Sequence, residues 1–205
     1  MAENRNGLRA LVNNPRVYEL IQNLMGAKRN SKRFADNFIK AKPGDRLLDI
    51  GCGPGSLVQF LPDVEYVGYD PNPSYIAAAH ATYGGKATFR LGIFDDQSVD
   101  DHAPFDIAVV SAVLHHLDDE QARDLFRLLR RALQSTGRVI TLDNVYVDRQ
   151  NPLARFIISQ DVGQNVRTAD GYAALAKDYF RFVKGTIIHQ SFIPYTYWIM
   201  ECHND

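Results

Sequence analysis

The chain has 205 residues, 45% of them hydrophobic and 23% charged, with a formal net charge of −1, which describes an ordinary globular protein with a sizeable core and not a disordered chain. No apolar run approaches the ~20 residues that a membrane helix needs, the polar opening "MAENRNGLRALVNN" is no secretion signal, and two cysteines, Cys52 and Cys202, are too few for a disulfide framework or a spaced metal site. The expectation is one domain over residues 1–205, in a reducing cytoplasm, with no membrane partner.

In "PRVYELIQNLMG" the spacing of Val17, Leu20, Ile21 and Leu24 predicts a helix, with Pro15 in its first turn and Gly26 as C-cap. A second short helix is predicted from Ser31 to Ile39, closed by "KPGD". Together they make an N-terminal helical cap over residues 1–42. Its cations, Lys28, Arg29, Lys32, Arg33, Lys40 and Lys42, are read as a solvated helix face, with an anion-binding patch as the alternative.

From Arg46 onward short apolar runs alternate with helical patterns. "RLLDI", "EYVGYD", "ATFRLG", "FDIAVVSAV" and "RVITLDNV" read as strands. "SLVQFL", "SYIAAAHATY" and "DDEQARDLFRLLRRAL" read as helices, the last opened by acids and closed near Gly137. The alternation predicts an α/β fold built of βαβ units on a parallel sheet. A helix follows from about Pro152 to Gln160, then the loop "DVGQNVR" and the helix "TADGYAALAKDYF" with Thr168 as N-cap. The strands "FVKGTIIHQ" and "YTYWIMEC" have no helix between them and should pair as an antiparallel hairpin. Residues 146–167 exceed most connections in compact domains and are read as a substrate lid.

A strand running into "GCGPG" lets backbone N–H groups approach a ligand, because glycine has no Cβ and tolerates positive φ. Taken alone, the same glycines also suit a tight turn with no ligand. The second strand then ends in Asp70, nineteen positions after Gly51, where a nucleotide-binding βαβ unit presents a carboxylate to ribose hydroxyls. An adenosine-containing ligand is therefore favoured. The G-x-G-x-G spacing and the acid Asp49 ahead of it depart from the dinucleotide fingerprint.

"LLDIGCGPG", "VGYDPNPSYIAAA", "FDIAVVSAVLHHL" and "LQSTGRVITLDN", in that order, resemble the class I S-adenosylmethionine-dependent methyltransferases. The resemblance implies a three-layer, Rossmann-like, seven-stranded and mostly parallel sheet with an antiparallel last strand. It also implies S-adenosyl-L-methionine as cofactor, over the carboxyl ends of the first strands. Asp49, Gly51, Cys52 and Gly53 would surround its methionine portion, Asp70 its ribose, and Pro71 and Asn72 its adenine. The family usually places an acid after the third-strand glycine, where this chain has Ile93. Either the backbone of Ile93 and Phe94 meets the adenine, or Asp95 reaches in. Ser111 and Ala112, ending the fourth strand, would also lie by the cofactor.

Displacement at a sulfonium needs alignment of nucleophile, methyl and sulfur, and a base only where the acceptor keeps its proton. Histidine titrates in the useful range, so His116 is read as the catalytic base or orienting group and His115 as substrate-facing; the alternative for each is helix packing. Asp143 and Asn144 match the Asp-Asn pair of magnesium-dependent catechol-type enzymes, but Ser111 and Ala112 stand where those have a further acid, so no metal is expected. Asp143 is kept as a substrate contact. Arg167, at a helix start, either docks an acceptor carboxylate or phosphate or pairs with Asp161 or Asp170. Tyr18 either closes over the site or forms an amphipathic rim.

The function expected is methyl transfer to oxygen or nitrogen of a small molecule, with no nucleic-acid partner and with monomer or homodimer left open. A nucleic-acid methyltransferase, a non-catalytic cofactor-binding protein and a nicotinamide dehydrogenase are the alternatives.

Overall fold

The computed structural model describes residues 27–159, 165–190 and 195–205. The predicted helix over residues 15–26, with Tyr18, lies outside the described residues. The first described helix, α1, spans Ala27–Phe34 and runs into a π-helical turn, Ala35–Ile39, that ends on the left-handed Lys40. Phe34, Ala35 and Ile39 are buried while Lys28, Arg29, Lys32 and Arg33 are exposed, as an amphipathic element requires.

The strands are β1 (Arg46–Ile50), β2 (Glu65–Asp70), β3 (Thr88–Leu91), β4 (Phe105–Ser111), β5 (Leu133–Tyr146), the two-residue β6 (Arg167–Thr168), β7 (Phe182–Gln190) and β8 (Tyr195–His203). They form one sheet in the order β3-β2-β1-β4-β5-β8-β7, with β6 paired to β5 off this path. Strands β1 to β5 are mutually parallel. Strand β8 runs antiparallel to both β5 and β7, so the predicted terminal hairpin forms with its second strand inside the sheet.

Helices α2 (Pro73–Tyr83), α3 (Asp96–His102), α4 (Asp119–Ala132), α5 (Pro152–Ser159) and α6 (Ala169–Ala176) complete the described chain. Strand alternation divides the core into two layers. Leu47, Tyr66, Phe89, Ile107, Val109 and Ile140 pack with α1 and α2 on one face. Leu48, Ile50, Val67, Ala108 and Val110 pack with α4 and α6 on the other. Helix α4 buries Ala122, Leu125, Phe126, Leu129 and Ala132, a 3.6-residue stripe, and begins in a capping box between Asp118 and Gln121.

Local structure departs from expectation at several points, beginning with α1, which starts at Ala27 and not at Ser31. "SLVQFL" forms only a 3₁₀ turn, Ser56–Phe60, because Pro62 holds Leu61 in extended backbone and stops a helix. Helix α4 ends at Ala132, and β5 follows at once with Leu133, well before Gly137. Helix α3 has no apolar stripe to announce it; Asp95 caps it by accepting from the N–H and hydroxyl of Ser98.

Candidate functional site

Strands β1 to β4 end at one edge of the sheet, where they are followed by the turns that carry Gly51–Gly53, Pro71–Asn72, Ile93–Phe94 and Ala112–His116. After Ile50 the chain turns through Gly51 at φ +72° and Gly53 at φ +54°, a region that favours glycine. The N–H groups of Gly51 and Cys52 both donate to the Tyr69 carbonyl, at 2.8 and 3.0 Å. A Cβ on Gly51 would lie 2.4 Å from Val113 Cγ2, whereas one on Gly53 would meet only open space. The turn is thus pressed against the β4 exit on one side and open on the other.

Asp70 ends β2 and holds this turn. Its Oδ2 accepts from the Gly53 N–H at 2.9 Å and its Oδ1 from the Asn72 N–H at 2.8 Å. Each oxygen keeps a further lone pair for an outside donor. The Asn72 side chain caps α2 through the N–H groups of Ser74 and Tyr75, so where the resemblance puts the adenine Asn72 offers backbone, beside the exposed Pro71. Ile93 is 78% exposed, while Phe94 is buried edge-on against Tyr69 at 5.3 Å. Since Asp95 is engaged as the α3 cap, the Ile93 and Phe94 segment is what stands at this point of the edge.

Asp49 lies beneath the turn on the α1–α2 face, 3% exposed, and accepts a 2.5 Å hydrogen bond from the Tyr66 hydroxyl. Burial pushes its carboxyl up to about 7, against the Tyr66 hydrogen bond and with the Asp70 charge adding to the rise. A carboxyl raised in the folded state stabilises at low pH, and that contribution is lost as pH climbs from the unfolded value near 4 to about 7. Relative to Asp49→Asn, the native chain should lose on the order of a few kcal/mol over this interval. Urea denaturation at pH 5 and 7.5 measures it; identical pH dependence in both proteins would exclude the effect. Cys52 packs between Asp49 and Gly68, whose missing Cβ makes room for it. Its thiol and that of Cys202 are free, and burial raises the pKa of both.

Beyond β4, Ala112 adopts φ +57° and donates its N–H to the Leu142 carbonyl at 2.7 Å, a left-handed position unusual for a residue with a Cβ. A 3₁₀ turn, Leu114–His116, follows. His115 is buried, with both its backbone N–H and its Nδ1 on Asp143 Oδ1, at 3.2 and 2.8 Å. Burial raises the Asp143 carboxyl, and the His115 contacts oppose the rise. His116 is exposed, its ring 4.1 Å from that of His115. Asp143 therefore supports His115 from within the fold and presents no open oxygen at the surface.

The docking role expected of Arg167 is corrected by its contacts. Its guanidinium donates to the carbonyls of Leu114, Asn165 and Leu117 and twice to Asp119 Oδ1. All five N–H donors of the group are engaged, so it clamps the histidine turn and has none left for a substrate anion. The Asn165 N–H donates to the His115 carbonyl at 3.0 Å, tying the end of the 146–167 connection to the same turn. Among the described residues no group of three or more His, Cys, Asp or Glu is placed to hold a metal, and no helix is long and apolar enough to cross a membrane.

Residues 48–139 match a methyltransferase domain model. The chain is 31% identical over 129 residues to a 2-phytyl-1,4-naphtoquinone methyltransferase of Synechococcus elongatus, covering 58% of this chain and 54% of that one. It is 29% identical over 187 residues to a ubiquinone/menaquinone biosynthesis C-methyltransferase of Xanthomonas campestris pv. campestris, covering 79% and 70%. The solved structure of a mitomycin 7-O-methyltransferase shares the fold, with a TM-score of 0.66 and 19% identity over 92% of this chain and 58% of that one. The chain spans from about a third to about half the length of several curated relatives that it matches.

Sheet order, glycine turn and domain match agree on a Rossmann-like methyltransferase fold. The domain match over residues 48–139 and these relatives support a class I S-adenosylmethionine-dependent methyltransferase. The residues present fit the cofactor of that class. Gly53 opens on space that a Cβ would fill, and Asp70 keeps acceptor capacity for two ribose hydroxyls beside it.

Proposed function

We propose that the protein transfers a methyl group from S-adenosylmethionine to a small-molecule acceptor, at oxygen or nitrogen. The observation that carries this reading is the shared sheet edge, where the Gly51–Gly53 turn and Asp70 lie alongside the His115–Asp143 pair. Bound S-adenosylmethionine supplies a methyl group made electrophilic by its sulfonium.

The chain's own residues position the partners and handle the proton. Asp70 accepts from the ribose hydroxyls, and the backbone of Gly51, Cys52 and Gly53 lines the methionine portion. The segments at Pro71–Asn72 and Ile93–Phe94 flank the adenine, and Ser111 and Ala112 border the reacting end. We place the proton of this 2.8 Å contact on His115 Nδ1, facing Asp143 Oδ1, which leaves Nε2 as the acceptor. We assign the proton-accepting role to His115, because Asp143 orients its ring, and give exposed His116 the acceptor-facing position. Arg167 acts on the site by clamping the turn that carries both histidines.

Calorimetry with S-adenosylhomocysteine, followed by transfer of a labelled methyl group to a panel of phenols, amines and carboxylates, tests this. Micromolar binding and labelled product are expected. Tight NAD binding in place of S-adenosylhomocysteine would end the proposal, and cofactor binding without product from any acceptor would favour a binding protein. A carbon acceptor is the second reading, favoured by the relative named as a C-methyltransferase; locating the label in the product separates the two.

A further inference from the structure

The same sheet edge continues past β5 into an open groove of about 390 Å³ lined by Tyr146, Pro152, Arg155, Phe156 and Ser159. Tyr146 ends β5, the strand that carries Asp143, and α5 supplies the other wall. The helix is anchored on the body of the protein by buried Ala154 and Ile158 and capped by Asn151, which accepts from the N–H groups of Leu153 and Ala154. It turns two large apolar side chains to solvent, Leu153 at 54% and Phe156 at 62% exposed.

Arg155 stands between the aromatic walls, its guanidinium carbon 5.0 Å from the centre of the Tyr146 ring. The clamp residue Arg167 has every donor engaged, whereas no carboxylate or carbonyl among the described residues accepts from the Arg155 side chain. The adjoining loop carries one acid and one base, Asp148 and Arg149, which offset each other. A guanidinium resting on an aromatic face keeps its in-plane N–H fork open for a planar anion, and the flanking rings offer faces to an aromatic body.

Building on the methyltransferase reading, we infer that the groove selects the acceptor class: an aromatic small molecule bearing a carboxylate, with the carboxylate forked by Arg155 and the ring against Tyr146 and Phe156. Arg155 is then a specificity residue that touches the acceptor away from the transferred methyl group.

The test uses 3-hydroxy-2-naphthoate and its carboxamide as probes, titrated into the full chain with and without saturating S-adenosylhomocysteine. The acid should bind at least about tenfold more tightly than the amide, as a charge-assisted fork implies. Arg155→Met should remove that preference by weakening the acid alone and leave S-adenosylhomocysteine affinity unchanged, a control for folding. Phe156→Ser should weaken both probes together. Equal binding of acid and amide, no binding of either, or a preference that survives Arg155→Met each overturns the assignment. Failure of S-adenosylhomocysteine to bind would strike the methyltransferase reading instead, and the two results are read separately.

Discussion

Asp70→Ala is expected to weaken S-adenosylhomocysteine binding by roughly 100- to 20,000-fold and to lower the stability of the unliganded chain. The first effect follows from losing two charge-assisted hydrogen bonds to ribose hydroxyls, each about 1.5–3 kcal/mol. The second follows from the N–H groups of Gly53 and Asn72, which Asp70 now satisfies at 2.9 and 2.8 Å. An orphaned N–H costs about 1–3 kcal/mol where water cannot replace the partner. Asp70→Asn should fall between, because its amide keeps one acceptor oxygen but turns an NH₂ group toward a backbone donor. Calorimetry for affinity and thermal unfolding for stability separate the two contributions. Binding within tenfold of the native value in Asp70→Ala would remove Asp70 from the cofactor site.

His115→Ala is expected to lower kcat by about 100-fold or more for an acceptor that must lose a proton, while His116→Ala lowers it less than about tenfold. The ranking reverses the one suggested by the sequence, and the reason is the 2.8 Å contact from His115 Nδ1 to Asp143. A buried histidine cannot be removed without leaving a cavity, so Asp143→Asn provides the companion measurement. It keeps the volume but takes away the carboxylate that selects the tautomer, and it should lower kcat with little change in S-adenosylhomocysteine affinity. If His116→Ala proves the more damaging, the base returns to His116, and if both variants normally turn over an acceptor that keeps its proton at the assay pH, no base is needed.

Much of the fold was legible because its signals are local. Alternating apolar strands, acid-capped helices and the glycine turn each announce themselves within a few residues, and Asp70 is marked by its distance from Gly51. Helix α3 escaped because its residues are almost all polar and its one strong signal, the Asp95–Ser98 cap, resembles an ordinary turn. Tyr66 escaped because a buried strand tyrosine looks like core; only Gly68, a glycine within a strand, hinted at a close approach there. The roles of His115, Asp143 and Arg167 depend on partners 28, 28 and 48 to 53 positions away, and no spacing rule reaches that far.

The sequence by itself determined the class of fold and the cofactor, since backbone freedom and strand order are written in glycine placement and hydrophobic period. Only the tertiary structure decided that Asp143 holds the ring of His115, that Arg167 is engaged and that Arg155 is open. Those properties belong to hydrogen-bond donors and acceptors on different strands and loops, and they meet only when the sheet brings its carboxyl edges together.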